Sequence, residues 1–300
     1  MLMRIVLKSI IIFLFLLLYT LIALGIMALP AGRARKRARL TGNVMFFARL
    51  GLRVLGIRML SRRQKRKGIR ARAVNYLIIA NHLSYTDILV VGALMPSVFI
   101  TSVELKRTFP LGMLAWLGGS IFVERRSPAG LKQEIREIEQ VLAEGTSVAL
   151  FPEGTTSDGD TVRPFKNSLI TAAIGTGSSI LPVCIRYTKV NGHPVRTHNR
   201  DLVYYYGGMT FFEHLPRLLK LKTIEVECVV LRPISTHQHH SRKDLATRAH
   251  ALISAAYHER PAGRTGQREQ FVEPSPAESP GDRQMSTDKS GISSSGERHP

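Results

Sequence analysis

Two short segments of this 300-residue chain hold side chains whose types and spacing could run acid–base chemistry. The first is Asn81-His82-Leu83-Ser84-Tyr85-Thr86-Asp87, directly after the apolar run Tyr76 to Ala80. A histidine with a carboxylate five residues on can make a base–orienter pair. The carboxylate holds one imidazole nitrogen, and the other accepts a proton from a hydroxyl. The same residues also fit a plainer purpose, because Ser84-x-x-Asp87 before an apolar run has the pattern of a helix capping box. The second segment is Phe151-Pro152-Glu153-Gly154-Thr155-Thr156-Ser157, again at the end of an apolar run. Its glycine and small hydroxyl residues let backbone N–H groups approach an oxygen-rich ligand. Glu153 can accept from a substrate hydroxyl or pin the loop. Taken alone, Pro-Glu-Gly-Thr is an ordinary turn.

Both segments need strands to aim them. Val74 to Ala80 and Ser147 to Phe151 read as short buried strands, as do Val98 to Ser102, Ser120 to Glu124, Ile180 to Arg186 and Thr223 to Leu231. Between them, Ile88 to Met95, Leu131 to Glu144, Ser168 to Gly175 and Lys243 to Tyr257 read as helices. This alternation predicts an α/β fold, a mixed sheet with helices on both faces, preceded by N-terminal membrane-associated helices. Sites in such folds sit where strands end and loops lead into helices.

Charge bounds the partners. The chain has 42 Lys and Arg against 22 Asp and Glu, a formal net charge of +20. Asp87 is the first carboxylate, and the residues before it carry 17 of the basic side chains. Such a field faces a nucleic acid or an acidic membrane. Ile10 to Leu29 is uncharged, rich in Ile, Leu and Phe, and long enough to cross a hydrocarbon core. A nucleic-acid role leaves that segment unexplained. A signal peptide with Arg4 and Lys8 in its basic region is the rival reading. Arg33, Arg35, Lys36, Arg37 and Arg39 follow at once and resist translocation, so an uncleaved anchor with the rest on the cytoplasmic side is expected.

Leu40 to Leu60 reads as a basic amphipathic helix at the headgroups, with Arg49 and Arg53 on one face and Arg58 farther along. The expected organisation is an anchor over 1–32, a basic helix and linker over 33–72, an α/β domain over 73–262 and a disordered tail over 263–300. Cys184 and Cys228 suggest neither a disulfide framework nor zinc. His237, His239 and His240 lack partners at metal-ligand spacing and read as a solvated loop.

Taken together, the segments resemble the glycerolipid acyltransferase family typified by lysophosphatidic acid acyltransferase. Asn81 to Asp87 matches its NHxxxxD motif, and Phe151 to Thr155 its FPEGT motif. Gly119-Ser120-Ile121-Phe122-Val123-Glu124-Arg125 looks like the intervening GxxFIxR block, and Leu181-Pro182-Val183 like the fourth. The resemblance implies an O-acyltransferase in which His82 is the general base and Asp87 orients it. Arg125 would hold an acceptor phosphate, and Glu153, Gly154, Thr155 and Thr156 would shape the substrate site. The donor would be acyl-CoA or acyl-carrier protein, the acceptor a membrane lysolipid, and no metal or other cofactor is expected. Lysophosphatidic acid is the leading acceptor. Many phosphatidate-forming members have Arg after the FPEGT threonine, where this chain has Thr156. That departure, with Pro164 to Ser168 and Tyr205 to Thr210, points to another lysolipid such as lyso-ornithine lipid as the alternative. A lipid hydrolase and a non-catalytic lipid-binding tether are the readings from other classes.

Overall fold

The computed structural model describes residues 2–63, 75–124, 130–237 and 241–259. Arg125, most of the polybasic linker, His239, His240 and the 263–300 tail lie outside the described residues.

The strands are β1 (Ile57–Arg63), β2 (Tyr76–Ala80), β3 (Ser97–Ser102), β4 (Ile121–Val123), β5 (Ser147–Leu150), β6 (Ser179–Val190), β7 (His193–Pro194) and β8 (Ile224–Val230). They form one mixed sheet in the order β1-β8-β6-β2-β5-β3-β4, with the short β7 paired to β6. From β6 to β4 neighbouring strands are parallel, whereas β8 runs antiparallel to β6. Leu77, Ile78 and Ile79 on β2 and Val148 and Ala149 on β5 are all buried. Strands covered on both faces need such unbroken apolar runs. β2 and β5 are direct neighbours with Ile79 opposite Leu150, so their following loops leave the same sheet edge side by side.

The helices that flank this sheet include α3 (Asp87–Leu94), α4 (Val103–Lys106), α5 (Leu111–Leu117), α6 (Leu131–Ala143), α7 (Thr171–Thr176), α8 (Phe211–Lys220) and α9 (Arg242–His258). Two more precede them, α1 (Leu2–Ala28) and α2 (Arg33–Leu55). Residues 3–28 of α1 are long and apolar enough to cross a membrane. One seam of α1 is nevertheless used inside the protein. Ile5 and Ile12 pack on the main core, Phe15 meets Phe47 edge-on at 6.2 Å, and Tyr19 and Ala23 are buried against Leu40 and Leu117. These positions recur every three to four residues or at their sum, the spacing of a packed helix face. Lys8 lies on the same seam and donates to the carbonyls of Leu221 (2.8 Å) and Leu55 (3.2 Å). The opposite face exposes Met3, Phe13 and Leu21, and Phe109, Trp116 and Phe212 are exposed on the body of the protein.

The helix expected over Leu40 to Leu60 is corrected at both ends. It starts at Arg33 and stops at Leu55, where Gly56 takes the left-handed conformation (φ 77°) and its N–H caps the carbonyls of Arg53 and Leu52. A Cβ at Gly56 would stand 2.3 Å from the Lys222 carbonyl, so the turn requires glycine. Arg58 therefore sits on β1, paired in parallel with β8. The sheet thus recruits an edge strand from the stretch read as helix and linker. The helix α8 has no counterpart among the sequence expectations. Its internal Pro216 obscures the helical pattern.

Candidate active site

Asn81 begins the site by extending the sheet with a side chain. Its Nδ2 donates to the Ile185 carbonyl (2.9 Å), and its Oδ1 accepts from the Ile185 N–H (2.8 Å). The amide copies a backbone pairing just past the last paired residues, Ala80 and Val183. The chain is thereby fixed where it turns out of β2 towards His82.

His82 Nδ1 lies 3.0 Å from Asp87 Oδ2. The same oxygen accepts the backbone N–H of Leu83 (2.6 Å) and of Ser84 (2.9 Å). The capping box expected from Ser84-x-x-Asp87 is corrected: α3 begins at Asp87 itself, after an N-cap at Thr86 that makes no side-chain cap bond. Asp87 therefore does not sit three residues into the helix as a Ser84 capping box would require, and its bonds to the Leu83 and Ser84 N–H groups pin the loop instead. Asp87 is fully buried at the first turn of α3, where a carboxylate complements the helix dipole. With Nδ1 donating to Asp87, Nε2 carries the free lone pair. Phe151 stacks on the imidazole at 4.1 Å between ring centroids, with an interplanar angle of 18°. Asp87 and Phe151 together fix the ring's tilt and rotation.

The second segment is tied to the first through Glu153. Its Oε1 accepts the His82 N–H (2.8 Å) and its Oε2 the Arg163 N–H (3.2 Å). Ser157 N–H donates to the His82 carbonyl at 3.0 Å, closing the pair of loops from the other side. Burial pushes the Glu153 carboxyl up to about 7, against the downward pull of the two N–H donors. Gly154 turns the loop at φ 78°, with the Lys166 side chain laid across it. Thr155 is exposed and Thr156 half-buried on the same turn. Thus His82, Asp87, Glu153, Gly154, Thr155 and Thr156 share one edge of the sheet. β4 ends at Val123 with its carboxyl end on that edge, because β2, β5, β3 and β4 are parallel, while Arg125 lies outside the described residues.

Sequence reasoning missed two partners of the first segment. Tyr187 on β6 donates its phenol to Asp87 Oδ1 at 2.7 Å. Tyr85 meets His214 Nδ1 at 3.0 Å and packs edge-on with Tyr205 and Phe211. A tyrosine near the end of a buried strand signals a hydroxyl in need of a partner, but not which partner. Among the described residues, no cluster of three or more His, Cys, Asp or Glu could hold a metal.

The arrangement fixes an imidazole at the carboxyl edge of an α/β sheet, beside a loop that turns at Gly154. Residues 52–186 match the acyltransferase family. The chain is 33% identical over 222 residues to a lyso-ornithine lipid O-acyltransferase of Brucella abortus, covering 70% of this chain and 81% of that protein. It is also 33% identical to a lyso-ornithine lipid O-acyltransferase of Rhizobium meliloti, over 57% of this chain and 61% of the relative. A 1-acyl-sn-glycerol-3-phosphate acyltransferase of Neisseria gonorrhoeae is 36% identical over 39% of this chain and 46% of its own length. Among solved structures, the 1-acyl-sn-glycerophosphate acyltransferase PlsC of Thermotoga maritima has the same fold. Its TM-score is 0.62 at 19% identity, covering 85% of this chain and 94% of that one.

Proposed function

Because this chain belongs to the acyltransferase family, we propose that it moves a fatty acyl group from a thioester onto the hydroxyl of a membrane lysolipid. One observation carries the mechanism. His82 Nδ1 is committed to a buried carboxylate, which leaves Nε2 to take the acceptor's hydroxyl proton. The alcohol oxygen attacks the thioester carbonyl as that proton transfers. The C–S bond then breaks, and the departing sulfur takes the proton back from the imidazolium. The acyl group passes directly to the acceptor, so no protein nucleophile is required. Glu153 fixes the backbone of His82, and Gly154, Thr155 and Thr156 border the acceptor. The donor is acyl-CoA or acyl-carrier protein.

Two observations favour lyso-ornithine lipid as the acceptor. Relatives of that name match over the larger share of this chain, and Thr156 stands where many phosphatidate-forming members carry arginine. The second reading is 1-acyl-sn-glycerol 3-phosphate, supported by the block that ends in Arg125 and by the Neisseria relative. The apolar α1 and the basic residues that follow support membrane association with the catalytic domain on the cytoplasmic side. The test is thiol release by the membrane fraction from acyl-CoA or acyl-carrier protein, with either lysolipid or with none. Release that depends on one lysolipid supports the transferase and identifies its acceptor. Release independent of any acceptor would make the protein a hydrolase.

A further inference from the structure

The base–orienter pair has a third member that neither motif contains. Tyr187 is buried on β6, 100 residues from Asp87 in sequence, and its phenol donates to Asp87 Oδ1 at 2.7 Å. The phenol also lies 2.6 Å from the hydroxyl of Thr86, itself fully buried. A phenol has one proton, and an ionised carboxylate can only accept. The proton on Tyr187 is therefore spent on Asp87, and the phenol oxygen must accept from Thr86. The order Thr86 to Tyr187 to Asp87, met from the other side by His82, is the one that satisfies every atom.

The two carboxylate oxygens are thus used differently. Oδ2 takes His82 and two backbone N–H groups, while Oδ1 is held by Tyr187. Three of these four donors come from the segment that carries Asp87 itself, and the fourth comes from across the sheet. Immediately after Tyr187, the β6–β8 register slips, leaving Thr188 as an extra residue. Bulges of this kind bend a strand and re-aim its side chains, and they concentrate beside active sites.

We propose that Tyr187 is a positioning residue for acyl transfer, fixing the Asp87 carboxylate and tempering its grip on His82. The proposal rests on the reading of His82 as the base. With the phenol in place, part of the carboxylate charge is answered by a hydrogen bond. Without it, Asp87 would hold the imidazolium form of His82 more firmly, and the base would be free only at higher pH. The other titratable groups around the pair are Glu153, which faces the His82 backbone with Arg163 beside it, and Tyr204, whose ring packs on Tyr187 at 5.8 Å.

The experiment compares Tyr187→Phe with the unaltered full-length protein in detergent. It reads the pH profile of kcat and of kcat/KM, together with the His82 ring titration by 15N NMR, assigned with His82→Gln. The expected result is a fall of about tenfold in kcat/KM at neutral pH, carried by kcat. The acid limb and the His82 titration should both move up by about half a pH unit or more. Tyr204→Phe removes a neighbouring buried hydroxyl that does not touch Asp87, and its titration should match the unaltered protein. A Tyr187→Phe profile that coincides with the unaltered one, or a Tyr204→Phe shift of the same size, would overturn the proposal. If Tyr187→Phe does not fold, Thr86→Val decides: a smaller upward shift supports the relay and an unmoved titration refutes it. If the unaltered protein transfers no acyl group, the proposed function fails, and the NMR titration still decides the relay.

Discussion

The backbone N–H of His82 donates to Oε1 of Glu153 across 2.8 Å, joining two segments 71 residues apart into one site. Glu153 is buried, and its other oxygen holds the Arg163 N–H. It acts as a splint between the two loops.

Glu153→Gln should therefore weaken the protein in a pH-dependent way. The amide has a single acceptor oxygen for two N–H donors, so one is left unsatisfied at a cost of about 1–3 kcal/mol. The carboxyl is raised by burial from 4.5 to about 7, so the folded protein keeps a proton that the unfolded chain has already released between those values. Stability from this group is full below about 4.5 and is lost as pH rises towards 7. Thermal melts should show the unaltered protein's advantage over Glu153→Gln shrinking from pH 5 to pH 8. An equal gap at both would contradict the assignment.

Gly154→Ala tests whether the loop needs its left-handed turn. The new Cβ would stand 3.0 Å from Lys166 Nζ, which can move, but φ 78° costs a side chain about 1–2 kcal/mol wherever the lysine goes. Activity should fall along with the melting temperature, and adding Lys166→Ala should not restore either. Full rescue by the second substitution would make crowding the cause.

Lys8→Met examines how α1 is held. The substitution leaves the Leu55 and Leu221 carbonyls without their ammonium partner, a loss of about 1–3 kcal/mol. The melting temperature in detergent should drop. An unchanged melt would show that the apolar seam alone secures the helix.

Arg125→Ala separates the two acceptors. An arginine that binds phosphate through charge-assisted hydrogen bonds should, when removed, raise KM for lysophosphatidic acid by about tenfold or more. kcat should change much less. A silent substitution in an enzyme active on that acceptor would dismiss Arg125 as the phosphate ligand.

Much of the site was legible because its chemistry is local. His82 and Asp87 are five apart on one strand–loop–helix turn, and the apolar runs Tyr76–Ala80 and Ser147–Leu150 mark the strands that present both loops. What was not legible depends on tertiary pairing. Ile57 to Arg63 is a strand only because β8 lies beside it, and a seven-residue stretch broken by Arg58, Ser61, Arg62 and Arg63 carries no apolar pattern to announce that. Tyr187 reaches Asp87 from 100 residues away, a relation that sequence spacing does not encode. In sequence Lys8 fits the basic region of a signal peptide, yet it binds carbonyls 47 and 213 residues distant.

Acyl transfer to a lysolipid hydroxyl depends, in the proposed mechanism, on His82 as the base. The most direct measurement is acceptor-dependent thiol release by His82→Ala beside the unaltered protein, both in membranes at matched amounts. A loss on the order of a thousandfold with membrane binding intact is predicted, the middle of the range that a positioned general base contributes. A variant that keeps most of its turnover would contradict the mechanism.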